Sequence, residues 1–498
     1  MLREHRNLQT PLKQQFWQIL PAVILLRLPL LLLPGAGRDE ALYWYWAHHF
    51  ELAYSPLLQI AIRLFEWLPL PDIWAIRLVS LVASACSLWL LEQLLIRRKI
   101  KDVQRRWLLL ALAVAPWQTY AGAILHPDML LLATLFAFVY FSEKQRFTLA
   151  AISAGLAIWA KPSGILVIAI AIIYWLVIDS NTSKLRIKLM LLTVGTAMPV
   201  AFSANWQMVQ GVLEFGKIGD QVSLWHVLPI QLLAIIVLGG PAMFYIAWKT
   251  MPPFTSFIHR IFSEISQVQS LRWTLPMVIS TAFFAAFGGA ILITGQIKAN
   301  WMLPAFVTLL LLWQNEFPIP WLKRLTLASL VLSIGFGLGF QLPGFAAAIE
   351  NRFPILGTSY SVQAGDREAR VSATRNWANR VQEYQSLQPF AADVVQQWRA
   401  NQPTQFPEWI LSDDYGLATQ LVFAWQQPQI PIFITGDLLF KHRLPENNNA
   451  IFKKPGLELT VLNESRINFP QLQEILAPVP LPHPYASGFV QLHFLSLN

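Results

Sequence analysis

Between residues 16 and 345 the chain alternates long apolar stretches with short polar loops, and beyond 345 that rhythm stops. The apolar stretches fall at 16–34, 73–96, 107–125, 129–141, 147–160, 163–178, 189–204, 228–248, 274–295, 301–313 and 325–345. They predict about eleven membrane-spanning helices, several shorter than the roughly 20 residues of a full crossing. The first stretch follows Arg3, Arg6 and Lys13 but lacks a small-residue cleavage site, so it reads as a span and not as a signal peptide. Residues 346–498 have the alternation of a water-soluble domain. There, a short apolar run at Trp409–Ser412 precedes a helical pattern at Tyr415–Trp425, with Leu417, Leu421 and Val422 on one face, and a second run at Pro431–Thr435. Strand, helix, strand at that spacing predicts a β-α-β unit in a small α/β domain. The expected architecture is an all-α polytopic membrane domain, 1–345, followed by a small extracytoplasmic α/β domain, 346–498.

Composition narrows this further. Of 498 residues, 55% are hydrophobic and only 13% charged, which excludes an ordinary soluble enzyme, and 13% aromatic content excludes a disordered chain. The net charge of +9 invites a nucleic-acid reading, but its distribution opposes one. The 37 basic and 28 acidic residues divide into 26 against 15 before residue 346 and 11 against 13 after it. The excess therefore sits in membrane loops, where Lys and Arg set topology, and no nucleic-acid partner is expected. The single cysteine, Cys86, lies in an apolar stretch and allows no intrachain disulfide.

With the N-terminus cytoplasmic, Arg97 to Arg106, Lys144 and Arg146, Lys184 to Lys188, Lys249, Arg260, Arg272, Lys323 and Arg324 all face the cytoplasm. The outside loops before the tail then hold only Arg38, Arg63, Lys161, Lys217 and Lys298. An odd number of spans leaves the tail in the periplasm or an equivalent compartment.

Ionisable residues at the outer ends of spans are the candidates for chemistry, because charge beside lipid is costly. Four outer loops carry them: Gly37-Arg38-Asp39-Glu40 with the aromatic run Tyr43 to Trp46; His126-Pro127-Asp128; Lys161-Pro162; and Gln296 to Trp301, with Lys298 and Asn300. Each alone has an ordinary reading. Asp39 and Glu40 suit the first turn of a helix, His126-Pro127-Asp128 suits a tight turn, and either lysine can snorkel to head groups. Neighbouring His48 and His49 point in different directions on a helix and read as packed or solvated rings. Two acidic loops and two lysines facing one compartment, however, describe a site able to hold an anionic head group and activate a nucleophile.

The block Gly37-Arg-Asp-Glu-Ala-Leu-Tyr-Trp-Tyr-Trp-Ala-His-His-Phe50 resembles the first outside loop of GT-C glycosyltransferases, in the branch of protein O-mannosyltransferases and aminoarabinose transferases (glycosyltransferase families 39 and 83). His126-Pro-Asp-Met-Leu-Leu-Leu132 is similar to that family's second acidic hairpin, and Ala157-Ile-Trp-Ala-Lys-Pro162 to its span ending in Lys. Lys298-Ala-Asn-Trp-Met-Leu-Pro-Ala305 is similar to its late Asn-Trp-Pro motif, and Glu408 to Trp425 to its soluble domain. The resemblance implies transfer of a sugar from a polyprenyl-phosphate donor to a glycan, lipid or protein acceptor at the outer membrane surface. It implies Asp39 as general base, with inversion, Glu40 orienting Asp39 or the acceptor, and Asp128 as the second acid. Lys161 and Lys298 would stabilise the departing phosphate, and Arg38, Tyr43, His126 and Asn300 would contact substrate. No cofactor is required; a divalent cation is compatible but not indicated. One departure stands out: Ala53-Tyr-Ser-Pro-Leu-Leu58 keeps Pro56 of the family's His-Pro-Pro stretch but lacks its His.

Two other readings use the same residues. A transporter or lipid flippase also needs many spans, but its polar site lies at mid-bilayer between repeated halves. A non-catalytic scaffold of a polysaccharide pathway would explain the shortened first loop. The transferase accounts for more of the polar residues, and its expected location is a bacterial inner membrane.

Overall fold

The computed structural model describes residues 15–50, 52, 54–177, 183–203, 224–250, 271–294, 299–352, 359–364, 367–372, 381, 384–402, 404–412, 414–434, 456–460, 472–474, 479–482 and 489–497. The membrane part is helical: α1 (Phe16–Leu31), α2 (Arg38–His48), α3 (Pro56–Phe65), α4 (Asp72–Arg97), α5 (Asp102–Ala113), α6 (Pro116–Ala121), α7 (Pro127–Glu143), α8 (Phe147–Ala160), α9 (Ile165–Val177), α10 (Ser183–Ser203), α11 (Leu224–Thr250), α12 (Leu271–Thr294), α13 (Leu303–Leu309), α14 (Ile319–Gln341) and α15 (Pro343–Arg352). Helices occupy the predicted apolar stretches, but not as eleven equivalent rods. Among the described residues three helices are long and apolar enough to cross a membrane by themselves: Asp72–Arg97, Ser183–Phe202 and Ile319–Gln341. The 14 residues of α8 and 13 of α9 rise only about 20 Å each, short of a hydrocarbon core of about 30 Å. The stretch 107–125 is broken before Pro116, which has no amide to continue α5 and instead starts α6.

The bundle centres on α7, which lies between α4 and α8, with α10 packed on α8. Buried ion pairs tie its polar ends. On the side assigned to the cytoplasm, Glu92 of α4 accepts the amides of Gln15 and Phe16 at the start of α1, and Arg98 pairs with Glu143 while donating to the Leu311 carbonyl. Helix α11 bends at Gly240, whose φ of 77° is open to glycine; a Cβ there would lie 2.7 Å from Ser329 Oγ, and that hydroxyl takes the Ala242 amide at 3.3 Å.

Among the described residues the tail contains a β-hairpin, β1 (Ser359–Ala364) with β2 (Arg367–Ser372), two helices, α16 (Leu387–Asn401) and α17 (Tyr415–Trp425), and a six-stranded sheet. Its strands are β3 (Ile410–Ser412), β4 (Ile432–Ile434), β5 (Gly456–Thr460), β6 (Leu472–Glu474), β7 (Val479–Pro482) and β8 (Phe489–Leu497). The order is β4-β3-β5-β8-β6, with β7 also on β8; β3 runs parallel to β4 and β5, and β8 antiparallel to its neighbours. The strand, helix and second strand read at 409–435 are present as β3-α17-β4, and Leu417, Leu421 and Val422 are fully buried. Thr435 lies outside the described residues.

Helix α17 packs on α2. One apolar core runs from Ala41, Leu42 and Trp44 of α2 through Phe423 to Ile410, Leu457 and Leu492 of the sheet. The Trp44 and Phe423 rings meet edge-on at 5.0 Å. Tyr384 adds a second attachment: its carbonyl accepts the Gly35 amide at 3.0 Å and its hydroxyl meets that of Tyr120 at 3.0 Å.

Candidate active site

Helix α2 begins at Gly37, and Glu40 in its first turn reaches back to accept the Gly37 amide at 3.0 Å, the side-chain half of a capping box. Glu40 is 1% exposed and fully engaged: Arg77 Nε and Nη2 meet its two oxygens at 3.0 Å each, and the Leu125 amide donates at 2.9 Å. Arg77 also donates to the carbonyls of Leu31, Leu33 and Gly35. Glu40 therefore faces Arg77 and the end of α1, and its contacts hold the loop that carries Asp39.

Asp39, one residue earlier, is half-buried, and Tyr415 Oη of the tail donates to its Oδ1 at 3.3 Å. Tyr43, one turn along α2, stacks on Tyr54 with ring centroids 6.0 Å apart and planes 6° from parallel. Burial, then the neighbouring Tyr54 and Asp39, push the Tyr43 phenol well above its ordinary range. Burial likewise pushes Tyr54 up, reinforced by the charges of Asp128 and Asp39. Both phenols stay protonated at neutral pH, and Tyr54 lies within electrostatic reach of both carboxylates.

The second acidic group is built by three distant segments. Pro127 starts α7, and His126 Nδ1 caps it, 3.3 Å from the Asp128 amide and 3.2 Å from Oδ2. Lys161, at the C-terminal end of α8 where a cation is favoured, pairs with Asp128 Oδ1, and Asn300 Nδ2 donates to Oδ2 at 2.7 Å. Asp128 and Lys161 are 4% and 6% exposed. The structure thus brings together Asp128, Lys161, His126 and Asn300, and separately Asp39, Tyr43 and Tyr54, with Tyr54 in electrostatic reach of both carboxylates. Lys298 lies outside the described residues. The positive charge of Lys161 is met in this arrangement by Asp128.

Arg38 is likewise committed. Its Nη2 pairs with Asp414 at 2.6 Å and its guanidinium lies 5.0 Å from the centre of the Tyr415 ring. These contacts make Arg38 an attachment between α2 and the tail. His48 and His49 bond through Nδ1 to the carbonyls of Trp44 and Tyr45 in their own helix, and among the described residues no three His, Cys, Asp or Glu side chains are arranged to hold a metal.

Reading the sequence missed Arg77, Tyr54 and Tyr415. Arg77 had a local signal, since an arginine inside the apolar run of α4 requires a buried partner. Tyr415 had none: it reaches Asp39 across 376 positions of chain.

Residues 54–206 match the sequence profile of the dolichyl-phosphate-mannose-protein mannosyltransferase family. Two crystal structures of ArnT from Cupriavidus metallidurans, one apo and one bound to undecaprenyl phosphate, share the fold. Both align over 96% of this chain and 97% of theirs at 14% identity, with TM-scores of 0.55 and 0.53. No curated protein sequence matches significantly. Profile and fold together support the type that the loop motifs resemble, a GT-C membrane glycosyltransferase.

Proposed function

We propose that the protein transfers a sugar from a polyprenyl-phosphate carrier to an acceptor hydroxyl at the periplasmic face of the inner membrane. The observation that carries this reading is the presence, in a GT-C-like fold, of a half-exposed carboxylate, Asp39, and a buried carboxylate, Asp128, held by Lys161 and Asn300, both within electrostatic reach of Tyr54. The undecaprenyl phosphate in the second ArnT crystal structure supports a donor of this class.

In this reaction Asp39 takes the proton of the acceptor hydroxyl as that oxygen attacks the anomeric carbon. The bond from that carbon to the phosphate oxygen breaks, and its electron pair leaves with the polyprenyl phosphate. Displacement in one step inverts the anomeric centre. Asp128, with Lys161 and Asn300, forms a fixed polar floor; the Lys161 ammonium carries three N–H donors, of which Asp128 engages one, and it faces the developing phosphate charge together with Lys298. His126 and Tyr43 line the substrate side. The acceptor is a glycan, lipid or protein hydroxyl, and the step is written without a metal because the leaving phosphate already carries charge.

The test is sugar transfer in proteoliposomes from a panel of synthetic undecaprenyl-phosphate sugars, read as release of undecaprenyl phosphate. Asp39→Asn is expected to lose ~10² to 10⁴ in turnover, the usual value of a general base, while retaining the wild-type melting profile. Wild-type transfer by this variant would remove the proposed base.

A further inference from the structure

We infer that Tyr415 of the C-terminal domain is a positioning residue for the Asp39 carboxylate, so that the soluble domain completes the active site of the membrane domain. The inference rests on Asp39 acting as the base. The geometry is direct: Tyr415 is the first residue of α17, and its hydroxyl donates to Asp39 Oδ1 at 3.3 Å. Asp414 fixes where that helix starts, since its Oδ1 accepts the amides of Gly416 at 2.8 Å and Leu417 at 3.1 Å. The same oxygen takes Arg38 Nη2 at 2.6 Å, and Arg38 is the immediate neighbour of Asp39 on α2. One short segment of the tail thus caps its own helix, grips α2 beside the base and hydrogen-bonds to the base.

Three further features make the contact rigid. The Arg38 guanidinium lies over the Tyr415 ring at 5.0 Å. Gly416 is pressed against Arg38 so closely that a Cβ there would overlap Nε and Cζ and displace the guanidinium from its place beside Asp414. Next along the interface, Gln420 Nε2 donates to the Ala36 carbonyl at 2.8 Å, and the Ile432 amide donates to Tyr45 Oη at 3.1 Å. A hydrogen bond to the ionised carboxylate favours its charged, basic form and limits its rotation. The tail supplies both effects from outside the bundle.

The experiment uses the full-length protein in the same proteoliposome assay. Tyr415→Phe removes one hydroxyl and keeps the ring under Arg38, so folding is preserved. The expected result is a fall in kcat of roughly tenfold, the equivalent of one hydrogen bond to a charged group. Donor KM should stay unchanged, and the acidic limb of the pH–rate profile should move to higher pH, because the carboxylate loses a donor that favours its ionised form. Asp414→Asn weakens the grip of Arg38 while leaving the hydroxyl in place, and should lower kcat in the same direction. If Tyr415→Phe leaves kcat and the pH profile unchanged while Asp39→Asn is inactive, the inference fails and the proposed function stands. If Asp39→Asn is itself active, the proposed function fails, and the inference fails with it.

Discussion

Arg77 and Glu40 meet through two hydrogen bonds of 3.0 Å, Nε to Oε1 and Nη2 to Oε2, both side chains fully buried near the N-terminal ends of α4 and α2. The guanidinium also collects three carbonyls from Leu31, Leu33 and Gly35, the turn between α1 and α2. A planar five-donor group is what such a convergence requires; an ammonium offers three donors from one point.

Arg77→Met should therefore leave Glu40 charged and buried without its partner, at a cost of about 3–5 kcal/mol. Arg77→Lys should recover only part of that. Thermal unfolding of the detergent-purified protein measures both, and an Arg77→Met variant as stable as wild type would mean that the turn is held by something else.

Asp128 gives a second case of mutual dependence. Replacing Lys161 by Met leaves the carboxylate with Asn300 and His126 alone, and replacing Asp128 by Asn leaves the ammonium without its anion. Each single change should destabilise by several kcal/mol, and the double variant by less than the sum. A coupling energy near zero in that cycle would show that the two charges are solvated independently.

Asn300→Ala removes one charge-assisted hydrogen bond to Asp128 Oδ2. The expected loss is about 1.5–3 kcal/mol of stability. Asn300→Asp should lose more, because it places a second carboxylate against Oδ2. Equal melting temperatures for the two variants would contradict a donor role for the amide.

Gly240→Ala tests the bend in α11. The new Cβ meets the Ser329 hydroxyl at 2.7 Å in a backbone conformation with φ of 77°, so about 1–3 kcal/mol of strain is expected. Adding Ser329→Ala removes the overlapping oxygen but leaves the dihedral strain and takes the acceptor from the Ala242 amide, so the double variant should still melt below wild type.

Some of the molecule is legible from local pattern. The apolar runs mark the helices, and alternation at 409–435 marks β3, α17 and β4, whereas the break of the 107–125 run at Pro116 went unread. The hairpin His126-Pro127-Asp128 and the end of α8 at Lys161 could each be flagged as polar points on an outer surface. Their union could not, because Asp128 and Lys161 are joined by the packing of α7 against α8, and Asn300 arrives from 172 positions away.

Hydrophobic period and helix-stop residues act within a few turns of chain, and by themselves they pointed to a helical membrane protein with a mixed α/β tail and an acidic loop after its first helix. Which carboxylate faces solvent and which is neutralised was decided by tertiary structure alone. Adjacent positions on α2 diverge by about 100°, so Asp39 turns toward Tyr415 and Glu40 toward Arg77, and only the helices packed on either side determine what each one meets.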